Sequence, residues 1–158
     1  MRIKIFSAVF ALGFVFALYS PAIAQRNPVP AIQRDPVMEA DAKHNLDVAK
    51  QAFTPLKQAY KQVLLRFDET FAAYPEFSKM DEFLYIAGMS SFYLSENKGK
   101  QKVDPKNKRD MERFAPDRLR TDAQAFLSMI IDKYPESKYR ADAEKALKDM
   151  EANPAVAQ

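Results

Sequence analysis

The sequence predicts an all-α domain made of two helical hairpins and a closing helix. Three observations predict it. Apolar residues recur at helical spacing in five separate stretches. Capping residues and prolines stand at the ends of those stretches. The punctuation Tyr74-Pro75-Glu76-Phe77-Ser78-Lys79 also returns as Tyr134-Pro135-Glu136-Ser137-Lys138-Tyr139, each copy preceded by a long amphipathic stretch and followed by another. No stretch alternates as a half-buried strand would.

Residues 1–24 read as a cleavable signal peptide. Arg2 and Lys4 form a basic start, residues 5–18 an apolar run broken only by Ser7 and Gly13, and Ala22-Ile23-Ala24 follows the turn at Ser20-Pro21. Small-x-small after such a run is what signal peptidase reads, so the cut is expected before Gln25. The run falls short of the roughly 20 apolar residues that cross a bilayer. No cysteine stands at the cut, so a lipidated N-terminus is not expected there. Residues 25–37 carry three prolines and no apolar period, which describes a flexible tether. That leaves a helical domain at 38–152, with an insertion at 97–120 and a flexible tail at 153–158.

Asp35-Pro36 reads as an N-cap followed by proline at the first helical position. Ala42, Leu46, Ala49 and Phe53 then share one helix face. Thr54-Pro55 repeats the signal and is expected to open a second helix, with Tyr60, Leu64, Phe67, Phe71 and Tyr74 on its stripe and Pro75 as its stop. Ser78 with Asp81 resembles a capping box for a third helix carrying Phe83, Leu84, Ala87, Phe92 and Leu94 and ending near Asn97. A fourth helix is predicted over 116–133, with Leu119, Ala123, Leu127, Ile130 and Ile131 inward. Pro135 stops it, and Ser137 is expected to cap a last helix bearing Ala143, Ala146, Leu147 and Met150.

Composition argues against several function classes. The chain has one histidine, no cysteine and three glycines, so Cys/His chemistry is excluded and a Ser–His arrangement has a single possible base, His44. His44 sits beside Lys43 on a helix flank, in no spacing that forms a metal-ligand set. Glycines at 13, 88 and 99 cannot build a phosphate-cradling loop. Carboxylates read mainly as solvated helix pairs, Glu144 with Lys148 among them; a distant catalytic pair leaves no sequence signature. No cofactor and no metal are expected. The net charge of +3 includes Arg2 and Lys4, which leave with the signal peptide. The remaining positive charge concentrates in 97–120, where basic residues outnumber acidic ones. Aromatics do not interleave with those charges, so nucleic-acid binding is not indicated.

The order of long helix, Tyr-Pro-x-Ser turn and alanine-rich helix resembles tetratricopeptide repeats of the BamD-like outer-membrane assembly lipoproteins. Similar repeats occur in periplasmic division-coordinating proteins that bind the Tol system. The residues carrying the likeness are Gly88, Ala123 and Pro135, with Phe67 and Pro75 as counterparts in the first hairpin. It covers about residues 39–151, without a lipid-anchoring cysteine and with about two repeats. The resemblance implies a short stack of two tetratricopeptide-like hairpins plus a C-terminal capping helix. With Gly88 at the small position of its helix, Glu82, Tyr85, Met89, Phe92 and Tyr93 point to the concave side, where such repeats hold a partner segment. Core packing is the alternative for Met89 and for several of the aromatics.

In the insertion, Lys98, Lys100, Lys102, Lys106, Lys108 and Arg109 form either a solvated loop or a contact for an anionic lipid, a cell-wall polymer or an acidic protein face. The function expected is a non-catalytic envelope scaffold, periplasmic or secreted, that binds a partner protein; the resemblance points to an outer-membrane barrel-assembly component. A soluble periplasmic adaptor for cell-wall or Tol-linked machinery is the alternative. A small cell-wall hydrolase is a third class, and it requires a carboxylate of raised pKa in a cleft.

Overall fold

The computed structural model describes residues 33–152. The expected signal peptide at 1–24, most of the tether at 25–37 and the tail at 153–158 lie outside them. Six helices follow in order: α1 (Pro36–Phe53), α2 (Tyr60–Ala73), α3 (Met80–Ser95), α4 (Lys108–Phe114), α5 (Pro116–Lys133) and α6 (Arg140–Ala152). Among the described residues there is no strand, and no helix is long and apolar enough to cross a membrane. The all-α class and the hairpin stack stand as predicted: α1 pairs with α2, α3 pairs with α5, and α6 closes the stack on α5.

Local chemistry explains most boundaries. Asp35 caps α1 as expected, its carboxylate accepting from the amides of Val37 and Met38, with Pro36 in the first turn. Two other caps behave differently. The Thr54 hydroxyl donates back to the Gln51 carbonyl, 2.9 Å away, so it ends α1 instead of opening α2. A turn follows, Gln58 takes a left-handed φ of 46°, and α2 begins only at Tyr60. The Ser78–Asp81 capping box does not form. The Ser78 amide is taken by the Glu39 carboxylate of α1, and Asp81 accepts from the Ser137 hydroxyl at 2.6 Å. Residues distant in sequence supply what the local box would have supplied.

The repeated punctuation is the same structure twice. The amides of Tyr74 and Tyr134 bond to the carbonyls of Thr70 and Ile130 as their helices end. Phe77 and Ser137 then bond back to Tyr74 and Tyr134, and Met80 and Arg140 bond to Phe77 and Ser137. Proline after each helix end removes the donor that continuation would need.

The core runs through α3. Met80, Phe83, Leu84, Ile86, Ala87, Met89 and Leu94 are all buried, against a single buried stripe on each neighbour. Phe67 of α2 lies at its centre, with ring centroids 5.4 Å from Phe83 of α3 and 4.7 Å from Phe126 of α5. The one buried threonine, Thr70, accepts from Asn45 of α1. Gly88 marks the closest approach of α3 to α5: an added Cβ would stand 2.9 Å from Leu127 Cγ. At the two ends of the stack the outer faces are polar. Asp41, Lys43, His44 and Asp47 are exposed on α1, and Lys145, Lys148 and Asp149 on α6. Water can therefore cover both end helices.

Candidate functional site

α1, α3 and the turn leading into α6 meet along one face of the stack. On α3, residues 82, 85, 89 and 92–93 fall three or four apart and hence along one flank. Two groupings form on this flank.

The first surrounds Glu82. Its Oε1 accepts from Lys50 Nζ of α1 at 2.7 Å, and the Tyr139 hydroxyl, just before α6, meets the same carboxylate. Tyr139 also stacks on Tyr85, with centroids 5.0 Å apart, and Lys138 Nζ sits 4.8 Å from the Tyr139 ring centroid. α1, α3 and the turn before α6 are thereby joined through one acid and two rings. Burial alone pushes Glu82 up, but the Lys50 ammonium and the Tyr139 hydroxyl outweigh it and hold the carboxyl below its usual range. Lys50 is raised by the same bond.

This pair makes a pH prediction. Because the folded pKa of Glu82 is lowered, its stabilisation is full above the unfolded value of about 4.3 and disappears as pH falls through the lower folded value. The raised Lys50 contributes until pH climbs past its unfolded value of about 10.4 and through the folded one. Glu82→Gln should therefore lower the melting temperature at neutral pH, with the two proteins converging in strong acid. Parallel melting curves from neutral pH down to acid check it; a constant gap throughout would contradict the assignment.

The second grouping is aromatic. Tyr93 lies 6.4 Å from Phe53 of α1, 5.5 Å from Tyr60 of α2 and 6.0 Å from Phe92, centroid to centroid. Cations edge it: Lys98 Nζ is 5.8 Å from the Tyr93 ring and the Arg120 guanidinium 5.8 Å from that of Phe92. Of the five residues expected on this face, Met89 is buried. Tyr85, Phe92, Tyr93 and Glu82 are half-buried.

Lys50, Phe53 and Tyr139 belong to the face as well. Sequence reasoning missed Lys50, put Phe53 on a core stripe, and read Tyr139 only as part of a turn. Lys50 and Phe53 come from α1 and Tyr139 from the turn before α6, and no local spacing signals that meeting.

The insertion is laid over the α1–α2 turn and the first half of α2. Gly99, with φ of 92°, lies flat on the Tyr60 ring, where a Cβ would stand 2.6 Å from Tyr60 Cδ2. The Lys100 amide bonds to the Gln58 carbonyl, Lys61 pairs with Asp110 at 2.6 Å, and Arg113 pairs with Asp68 at 2.9 Å.

This settles where the six basic candidates sit. Lys98 pairs with Glu96 at 2.6 Å, Lys100 Nζ holds the Leu56 carbonyl at 2.6 Å, and Lys102 holds the Asn97 carbonyl. Lys106, Lys108 and Arg109 are exposed around the start of α4, with only a loose 3.8 Å pair from Lys108 to Glu112. Among the described residues no group of three or more His, Asp or Glu side chains is placed to hold a metal. His44 is exposed on α1.

A family described as outer membrane lipoprotein, YfiO, matches residues 24–157. No curated protein and no solved structure matches the chain. The match spans the whole helical stack, both repeated turns and the insertion, so the chain belongs to the YfiO outer membrane lipoprotein family.

Proposed function

We propose that the chain is a non-catalytic cell-envelope scaffold serving outer-membrane protein assembly, which holds a segment of a partner protein against the face of α1, α3 and the start of α6. The observation that carries this reading is the row of half-buried aromatic side chains along α3, Tyr85, Phe92 and Tyr93, flanked by Phe53 of α1 and Tyr139 of the turn before α6. Rings fixed by stacking lose little further freedom on binding, and they offer large contact area beside polar tips. Glu82, Lys50 and Lys138 supply the charges that set the register of a bound segment. Met89, being buried, supports this face from beneath.

Lys106, Lys108 and Arg109 are the part of the insertion left to meet an anionic lipid, wall polymer or acidic protein face. The scaffold works in the periplasm after removal of residues 1–24.

The joint variant Tyr85→Ala/Tyr93→Ala tests the reading. It should keep its helical circular dichroism and lose partner capture from envelope membranes by at least about tenfold, or about 1.4 kcal/mol. Undiminished capture by the folded variant would sink it.

A second reading, a soluble adaptor for cell-wall or Tol-linked machinery, draws on the absence of any cysteine thiol within these residues. Release by osmotic shock favours the adaptor, and sedimentation with outer membranes favours the scaffold.

A further inference from the structure

The two ends of the helical stack differ in charge. Residues 54–61 and 96–110 meet at the end that carries the α1–α2 turn, and they hold eight Lys/Arg against three Asp/Glu. The turns at the opposite end, 74–79 and 132–140, hold four against three. Contacts gather the positive residues. Lys100 Nζ bonds to the Leu56 carbonyl, and Lys61 of α2 pairs with Asp110, which brings Lys106, Lys108 and Arg109 to the same end. Lys57, Lys106 and Arg109 are exposed and make no ion pair among the described residues. The carbonyl that holds Lys100 carries no net charge, so this lysine still adds to the positive field.

One large apolar side chain stands among these cations. Leu56 is 79% exposed, ahead of Val37 at 69% and Leu65 at 37%. Its turn is firmly tied. The amides of Lys57 and Gln58 bond to the Thr54 carbonyl, and the Ala59 amide bonds to that of Ala52. Lys100 holds the Leu56 carbonyl with its ammonium and the Gln58 carbonyl with its amide. Gln58 keeps a φ of 46° there, a left-handed conformation that is costly for a residue other than glycine. A strained, braced turn thus holds a leucine out in water with positive charge around it.

A polar wall polymer would meet the charges and leave Leu56 in water. An acidic protein face would need a recess matched to one leucine. An anionic bilayer meets both features: its phosphates take the cations and its acyl boundary takes the leucine. It needs no cavity, because lipids rearrange laterally to match the spread of charge.

We propose that this end of the stack docks on an anionic phospholipid bilayer, with Leu56 entering the acyl boundary and Lys57, Lys100, Lys106, Lys108 and Arg109 on the headgroups. This rests on the reading of the insertion as an anionic contact, narrows that contact to lipid, and adds the α1–α2 turn to it. It is independent of the α1–α3–α6 face.

The chain has no tryptophan, so Leu56→Trp supplies a single reporter. The chain lacking residues 1–24 is used, because the apolar run at 5–18 would enter lipid by itself. It is mixed with phosphatidylcholine vesicles that contain or lack phosphatidylglycerol. On the anionic vesicles the indole emission should shift to the blue and be quenched by brominated acyl chains. Neutral vesicles should do neither, and Gln124→Trp on α5 should stay unshifted. Reversing Lys57, Lys106, Lys108 and Arg109 jointly to glutamate should weaken binding at least about thirtyfold, since each basic residue near such a surface counts for about fivefold. Raised salt should weaken it too. Tyr85→Ala/Tyr93→Ala should bind the vesicles unchanged, so failure here and failure of the partner face are told apart. No binding to anionic vesicles, binding that survives the joint reversal, or an unshifted indole at position 56 of the bound chain would overturn the proposal. So would tighter binding to soluble polyglutamate than to the vesicles, which would assign the cations to an acidic protein face.

Discussion

Replacing Phe67 with alanine should destabilise the domain by about 3–5 kcal/mol, the usual range for emptying a fully buried aromatic site. Phe67 is 0% exposed, and its ring touches Phe71 on its own helix, Phe83 on α3 and Phe126 on α5. It is thus the side chain through which the first hairpin meets the second. Three aromatic neighbours cannot all move into the vacated space, because each is tied to a different helix. A small domain has about 5–15 kcal/mol in total, so the loss removes a large share of its stability. Urea unfolding of the chain lacking residues 1–24 should show a much lower midpoint with little change in slope. A loss below about 1 kcal/mol would mean that the hairpins are held mainly elsewhere.

The second large effect concerns Gly88. In an ordinary helix interior a larger residue there would gain up to about 1 kcal/mol in propensity over glycine. Here the Cβ would meet Leu127 Cγ at 2.9 Å and Cδ2 at 3.0 Å, with the Ala123 carbonyl 3.6 Å away. Leu127 is itself 0% exposed in the core, so yielding to a Cβ means shifting a packed side chain. Overpacking of this kind usually removes about 1–3 kcal/mol, so Gly88→Ala should come out mildly destabilising. Gly88→Val, with two more carbons and a restricted χ1, should lose about 3 kcal/mol. The cause can be separated from general helix disruption by a double-mutant cycle. Leu127→Ala is damaging alone, yet in the Gly88→Val background it should be much less so, giving a favourable coupling of about 1 kcal/mol or more. Additive losses would show that the glycine is needed for some reason other than the approach of α3 to α5.

These two positions show how much the sequence carried. Gly88 and Ala123 were recognisable as small crossing residues because the turn at 134–139 repeats the one at 74–79 and sets the frame of both hairpins. Most of the buried stripes of α1, α2, α5 and α6 followed from spacing, since each of these helices buries one face, but Phe53, Phe71, Tyr74, Ile131 and Leu147 are only half-buried. Caps were less legible. Thr54 and Ser78 have the sequence of helix starts, but Thr54 bonds backwards to Gln51 and Ser78 is served by Glu39 of α1. A capping residue states what it can bond to, and tertiary structure decides which partner arrives.

The candidate face was half legible for the same reason. Helical spacing places Glu82, Tyr85, Phe92 and Tyr93 on one flank of α3, while Lys50, Phe53 and Tyr139 reach it only through helix packing. The basic insertion carries a similar lesson. Its charge excess is plain in the sequence, but Lys100 and Lys102 spend their charges on backbone carbonyls of neighbouring turns.

The central claim is that the α1–α3–α6 face holds a partner in the envelope, and site-specific photocrosslinking tests it most directly. A photoreactive residue would be placed at Tyr85 or Tyr93 and, as a control, at the exposed Gln124 on α5. After irradiation in the native envelope, adducts would be identified by mass spectrometry. The account predicts a discrete adduct from positions 85 and 93 with a protein of the outer-membrane assembly machinery, and none of it from position 124. The same adduct from all three positions, or from position 124 alone, would contradict it.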